Sequence, residues 1–344
     1  MTSAWQDFLL ERGARIEAGA VASFGDAQDE LRASRDGGIV APLGHLGLIE
    51  CSGEDAQGFL HGQLSNDVKQ LTPARSEYAA YCSAKGRMLA NFLLWQEAQT
   101  YFLQLPRSLV PAVQKRLGMF VLRAKVKLLD ASASRLILGL AGNAAAAALQ
   151  EFFPVLPLQA HQVVRDPANG TLIALPGARF QLVAEPESAE RLWRKLTAVL
   201  RPVGAPCWEW LEIRNGLPLI TPATQEQFVP QMANMELIGA VNFQKGCYPG
   251  QEIVARTQYL GQLKRRMVLA HVAGETPPKA GDELFSSDLD GQASGMVVNA
   301  QSAPEGGYDL LAVVQTASIA RAAVHLASAK GPILSIQPLP YALA

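Results

Sequence analysis

The apolar pattern of this chain changes near Leu263, and that change limits what the chain can fold into more than any other feature. Before it, short strand-like runs alternate with stretches of helical spacing. After it only short strands remain, at 267–272, 283–285, 295–298, 310–314, 323–327 and 333–336, separated by Gly, Pro and Ser/Asp turns. Strands this short and this regularly interrupted suggest a small antiparallel β-barrel as a separate C-terminal domain. The fold class read from the sequence is therefore α+β. Upstream, the spacing predicts helices over 4–16, 56–64, 108–119, 144–148, 188–200 and 208–215. Strands are predicted over 46–51, 78–82, 88–95, 101–105, 123–129 and 136–140, then around 163–164, 172–174 and 180–183. A length of 344 residues with 49% hydrophobic and 18% charged content describes a globular protein of two or three domains.

A formal net charge of −1 gives no global field to attract nucleic acid or a membrane, so any anion site must be local. None of the four cysteines, Cys51, Cys82, Cys207 and Cys247, forms a C-x-x-C, and no histidine stands at ligand spacing from Cys247. That argues against a metal site built by this chain alone and for reduced thiols in a cytoplasmic protein. The start, from Met1 to Phe8, lacks the basic and apolar regions of a signal peptide. The longest weakly polar stretch, 136–149, is too short to span a bilayer.

One run carries the local chemistry: Lys245-Gly246-Cys247-Tyr248-Pro249-Gly250-Gln251-Glu252. Pro249 suits a first helical position and Glu252 a first turn, with Ile253, Val254, Ala255, Thr257 and Leu260 continuing the helix. Cys247 is then expected beside unpaired helix N–H groups and near Lys245, and both favour a thiolate. The competing reading is a small buried hydrophobe, since free cysteine is among the most buried residue types. Arg256, four residues after Glu252, is placed to pair with it on one helix face.

Two basic clusters stand out. From 106 to 129 there are six cations and no acid: Arg107, Lys115, Arg116, Arg123, Lys125 and Lys127. The last three alternate along a predicted strand and so share a face, which reads as an anion site or as a solvated surface. Lys264-Arg265-Arg266 marks the boundary of the barrel, without interleaved aromatics.

The cysteine run and its surroundings resemble a known family. Phe228-Val229-Pro230-Gln231 and Asn234, the run from Asn242 to Glu252, then Ala255-Arg256 and Gly261 are similar to the YgfZ family, folate-binding proteins related to the T-protein (aminomethyltransferase) of the glycine cleavage system. Ser52-Gly53-Glu54-Asp55-Ala56, Phe59-Leu60 and the run from Leu64 to Val68 resemble the corresponding T-protein segment. The resemblance implies a T-protein-like multi-domain ring around a folate pocket, closed by the C-terminal barrel. Its expected division is 1–47 with about 119–135 and 205–262 as a first folate-binding domain, about 48–118 with 136–204 as a second, and 263–344 as the barrel.

The resemblance also implies tetrahydrofolate or a derivative as ligand, iron–sulfur enzymes as clients, weak contact with tRNA, and no membrane. Cys247 is then the working thiol, tuned by Lys245, with Gly246, Tyr248, Gly250, Gln251, Glu252 and Arg256 shaping the motif. Tyr78, Asn91, Trp95, Arg123, Lys125, Arg214, Gln231 and Asn234 are the implied folate contacts. Where T-proteins carry an acidic pair this chain reads Ala90-Asn91, and Arg214 stands at the place of a glutamate. An amide can hydrogen-bond a pterin but cannot take its proton. Three functions follow: a folate-binding factor for assembly or repair of iron–sulfur enzymes, a folate-dependent aminomethyltransferase-like one-carbon enzyme, and a non-enzymatic tRNA-binding scaffold. The missing acids weigh against the second.

Overall fold

The computed structural model describes residues 3–259, 261 and 263–343. Met1, Thr2 and Leu260, on which parts of the sequence reading rest, lie outside the described residues. The N-terminal helix Ser3–Leu10 buries Trp5, Phe8 and Leu9. It stops short of the expected residue 16 because Gly13 takes a left-handed turn (φ 84°), after which Arg15–Glu17 pairs with Ala20–Ser23 as a small hairpin.

Three larger sheets follow. One has six strands in the order Val163–Asp166, Gly170–Leu175, Arg179–Ala184, Leu136–Ala141, Ile39–Pro42 and Arg201–Pro202, antiparallel except for the last pair. A second has five antiparallel strands in the order Glu77–Cys82, Met88–Glu97, Thr100–Pro106, Leu46–Ser52 and Lys127–Asp130. Strand pairing thus groups the chain differently from the expected domain division: 39–42 joins 136–202, and 127–130 joins 46–106. A shared apolar core including Leu48, Trp95, Phe102, Ile173, Val183 and Trp208 holds these two sheets together.

The strand expected over 123–129 forms only from Lys127 to Asp130; Arg123 and Lys125 lie in the preceding turns. Past Leu263 the chain forms six antiparallel strands in the order Val324–Leu326, Glu283–Ser286, Ala293–Ser302, Tyr308–Gln315, Arg265–Val272 and Ser335–Gln337. They curl into a half-barrel around Val268, Leu284, Val297, Leu310 and Val324. The helix Thr316–Arg321 within it was not expected from the pattern.

The helix Ala205–Arg214 joins these parts. Cys207, Trp208 and Trp210 are buried along it. Trp208 lies so close to Gly139 that a side chain there would overlap its ring. On the half-barrel side, Trp210 Nε1 donates to Asp309 at 2.9 Å. One short helix therefore touches both the sheet core and the half-barrel, and the cavities open beside its C-terminal turn.

Candidate functional site

Two cavities share Glu212, Leu217 and Leu219. The inner one, about 30 Å³, also meets Tyr78, Asn91, Gln104 and Gln181. The outer cleft, about 290 Å³, runs between the helix and the half-barrel past Thr221, Lys279 and Asn299. Glu212 is held from behind. Its Oε1 accepts from Trp208 Nε1 at 3.1 Å and lies 3.4 Å from the guanidinium of Arg179. Arg179 is fully buried, donates through Nε to the Pro176 carbonyl at 2.9 Å, and lies over the Trp208 ring. One of its terminal nitrogens has no partner. Gln181 donates to Gln104 at 2.6 Å, tying the two sheets together at the cavity wall. Burial pushes the Tyr78 phenol up, with the nearby Arg179 charge opposing.

Asn91 is occupied with the backbone: Nδ2 donates to the Pro218 carbonyl and Oδ1 accepts from Ile220 N–H, both at 2.8 Å. It shapes the loop that closes the inner cavity. Arg214 does not enter either cavity. It meets Gln337 and Asp309 on the half-barrel. The physical reason is helical: two residues advance the helix by about 200°, so Glu212 and Arg214 face opposite ways. The cavity therefore has a carboxylate after all, which corrects the inference drawn from Arg214 and Asn91. Its sequence signal was the i,i+4 spacing of Trp208 and Glu212 on one face.

The other implied folate contacts lie elsewhere. Trp95 is fully buried and stacked on Phe102. Gln231 donates to the Val254 carbonyl at 2.7 Å and so braces the helix after the motif, and Asn234 donates to the Met267 carbonyl at 2.9 Å and braces the first half-barrel strand. Lys125 is exposed and pairs with Glu54 at 2.7 Å, and Arg123 is exposed beside it. Arg266 is drawn inward to Glu236, which breaks up the second basic cluster.

The motif loop sits on the helix Ala56–Gln63. Lys245 turns its ammonium inward, donating to the His61 carbonyl and to the Leu64 carbonyl at 2.6 Å, with the Tyr248 ring 4.7 Å away. These carbonyls end a helix, where a cation is favoured. Burial nevertheless lowers Lys245 to about 8, against the charges of Asp67, Glu77 and Cys247. Gly246 backs onto the imidazole of His61: a Cβ there would come within 3.3 Å of Nε2. His61 Nδ1 in turn lies 3.0 Å from Asp67, and desolvation lowers the ring's pKa from its ordinary value.

Gly250 has φ 79° and packs on the Ser83–Gly86 turn so tightly that a Cβ would lie 2.6 Å from Gly86 Cα. Its carbonyl accepts from Val254 N–H, which makes Gly250 the cap of the helix Gln251–Tyr259. Pro249 is therefore one residue ahead of the cap, not at the first helical position. Cys247 lies three residues ahead of the cap, on the loop. Gln251 Nε2 reaches back to the Lys245 carbonyl at 3.4 Å. Glu252 and Arg256 are both exposed, and no ion pair joins them among the described residues.

Of the four cysteines only Cys247 is exposed. Burial pushes the thiols of Cys51, Cys82 and Cys207 up to about 12. Among the described residues no group of three or more His, Cys, Asp or Glu side chains could hold a metal ion, and no helix is long and apolar enough to cross a membrane.

Residues 12–164 match the family described as the GCVT N-terminal domain. The tRNA-modifying protein YgfZ of Photorhabdus laumondii subsp. laumondii is 33% identical over 304 residues, 88% of this chain and 92% of that protein. The chain belongs to the YgfZ family. Its relative of the same name in Sodalis glossinidius is 32% identical, over 86% of this chain and 90% of that one. Among solved structures, the glycine cleavage system aminomethyltransferase T from Bartonella henselae superposes with a TM-score of 0.79, covering 99% of this chain and 97% of that chain at 19% identity. The fold is thus that of the T-protein, as the motif resemblance implied.

Proposed function

We propose that this chain binds tetrahydrofolate or a derivative beside Glu212 and supports the assembly or repair of iron–sulfur enzymes, tRNA-modifying ones included, through the thiol of Cys247. The observation that carries the reading is the Arg179-backed carboxylate of Glu212, which lines both the inner cavity and the outer cleft. A pterin edge presents N–H donors, which suit a carboxylate held at the mouth of the outer cleft. The inner space of about 30 Å³ has room for a water, whereas the outer cleft of about 290 Å³ has room for a ring system. Glu212 and Thr221 would hold the ligand there, while Asn299 bonds both the N–H and the carbonyl of Leu219 and fixes the cleft wall. When bound, a reduced folate supplies a carrier for one-carbon units. The relatives are named tRNA-modifying proteins, which supports the link to tRNA modification.

Cys247 offers its thiol outward, beyond the buried anchors of its loop. An exposed thiol can ligate iron transiently with a partner or exchange with a disulfide. A second reading, a folate-dependent one-carbon transferase, gains from Glu212, because proton transfer at a pterin nitrogen needs a positioned carboxylate.

Calorimetric titration of tetrahydrofolate and folate into the wild type, Glu212→Gln and Cys247→Ala tests the pocket. The expected result is at least a tenfold loss of affinity in Glu212→Gln, worth about 1.4 kcal/mol, and no loss in Cys247→Ala. No binding to the wild type would sink the folate reading. If Cys247→Ala fully supports an iron–sulfur tRNA-modifying enzyme in a deletion strain, the thiol is not the working group. Methylene-tetrahydrofolate formed from an aminomethyl donor would favour the transferase.

A further inference from the structure

The basic segment singled out in the sequence is used by neither cavity. The helix Val110–Gly118 ends there, the chain turns through 119–126, and Lys127–Asp130 becomes the outermost strand of its sheet. Between helix and strand lies an open cleft of about 570 Å³, lined by Pro111, Gln114, Lys115, Val121, Lys127 and Leu128. Cations stand on both walls, Lys115 from the helix and Lys127 from the strand. Arg123 stands exposed on the turn between them. None of these three has an ion pair among the described residues. The same turn exposes Met119 (58%), Phe120 (43%) and Leu122 (88%). Leu122 has φ 48°, a left-handed conformation that costs a non-glycine residue energy. Large apolar side chains held out beside unpaired cations mark a contact surface.

We propose that this cleft docks RNA, with Lys115, Arg123 and Lys127 on phosphates and Phe120 stacking on an unpaired base. Charge complementarity decides the partner: Lys115, Arg123 and Lys127 gather unpaired at one cleft, in a chain of net charge −1, and suit a polyanion. The shape agrees. The cleft is open and shallow with cations on both walls, so a single strand can lie along it and meet them from either side. Single-stranded RNA is bound by cationic grooves with aromatic platforms, and Phe120 stands exposed on the turn beside this one. The other basic cluster lacks it, since Arg266 is turned inward to Glu236. The inference stands apart from the folate reading.

The test is fluorescence anisotropy with bulk tRNA and with poly(U), between about 50 and 200 mM salt. Lys115→Glu/Arg123→Glu/Lys127→Glu should weaken both complexes at least tenfold and flatten the salt slope by about 2, at ~0.7 per single-strand phosphate contact. Phe120→Ala should weaken poly(U) about tenfold. Lys264→Glu/Arg265→Glu, a charge reversal elsewhere, should stay within twofold of wild type. All these residues are exposed or at a turn, so an unchanged thermal midpoint and unchanged tetrahydrofolate affinity show that only docking was lost. The proposal is overturned if the wild type binds neither RNA at low salt, if the triple variant binds like wild type, or if the control pair loses as much. It is also overturned if the triple variant loses binding to phosphatidylglycerol vesicles while RNA binding is absent, which would assign the patch to a membrane.

Discussion

Glu212 and Cys247 are reached by opposite constructions. At the cavity the polar groups are committed before any ligand arrives: Arg179 backs Glu212, Gln181 holds Gln104, and Asn91 holds its loop. At the motif loop the anchors are buried and the reactive atom is not: Lys245, Tyr248 and Gly250 pin the backbone, while Cys247 faces solvent. The first arrangement suits recognition, because donors and acceptors fixed in place need no reordering on binding. The second suits a reaction with something brought from outside, since a thiol acts only where a partner can reach it.

The contrast can be broken most forcefully at Arg179. Arg179→Ala leaves the partly buried Glu212 without its cation and empties a fully buried site, and a loss of about 3–5 kcal/mol is expected in denaturant unfolding. A change under 1 kcal/mol would mean that water or movement of Glu212 compensates, and that the cavity is less committed than its geometry implies.

The next largest effect is a pH dependence beneath the motif loop. Burial raises Glu77 to about 7, with Asp67 adding to the shift, and its Oε1 has no partner. Its ordinary value is ~4.3. The folded state therefore binds more protons than the unfolded state across that window. The stability this contributes is fully present below the unfolded value and is lost as pH rises through about 7. Glu77→Gln should stabilise the protein at pH 8 by at most about 3 kcal/mol and have little effect at pH 4. Thermal unfolding across that range checks it, and equal effects at both ends would refute the assignment.

Smaller losses separate anchor from thiol. Lys245→Met strips the donor from the His61 and Leu64 carbonyls and should cost about 1–3 kcal/mol. Cys247→Ala, at an exposed site, should stay within about 0.5 kcal/mol. If the cysteine variant lost as much as the lysine variant, Cys247 would be a packing residue, and the contrast between the two regions would collapse.

Much of this was legible from local pattern. The strands and turns from Leu46 to Pro106, the helix read over 208–215 (Ala205–Arg214 in the structure) and the six strands of the half-barrel follow from apolar spacing and from Gly and Pro placement, which act within a few residues. The readings that failed share one cause. Arg123 and Lys125 alternate as a strand would, yet the chain turns there, because alternation of charge does not require an extended backbone. Pro249 suits a first helical position, but Gly250 is the cap because only glycine fits against Gly86 at that φ. The resemblance put Arg214 at the place of an acid, but the rotation of its helix presents Glu212 to the cavity.

For the motif, local chemistry was enough to identify a cysteine loop ahead of a capped helix, an acid in its first turn, and the family to which the chain belongs. It could not say which way the side chains on that loop would face. Lys245 turns inward because two carbonyls at the end of a helix some 180 residues earlier in the chain accept its hydrogen bonds. Cys247 remains outside because its neighbours on either side, Lys245 and Tyr248, take the buried positions. Contacts between residues so far apart in sequence leave no periodic trace, so the folded chain alone brings Glu212 to the cavity and leaves the thiol in reach of a partner.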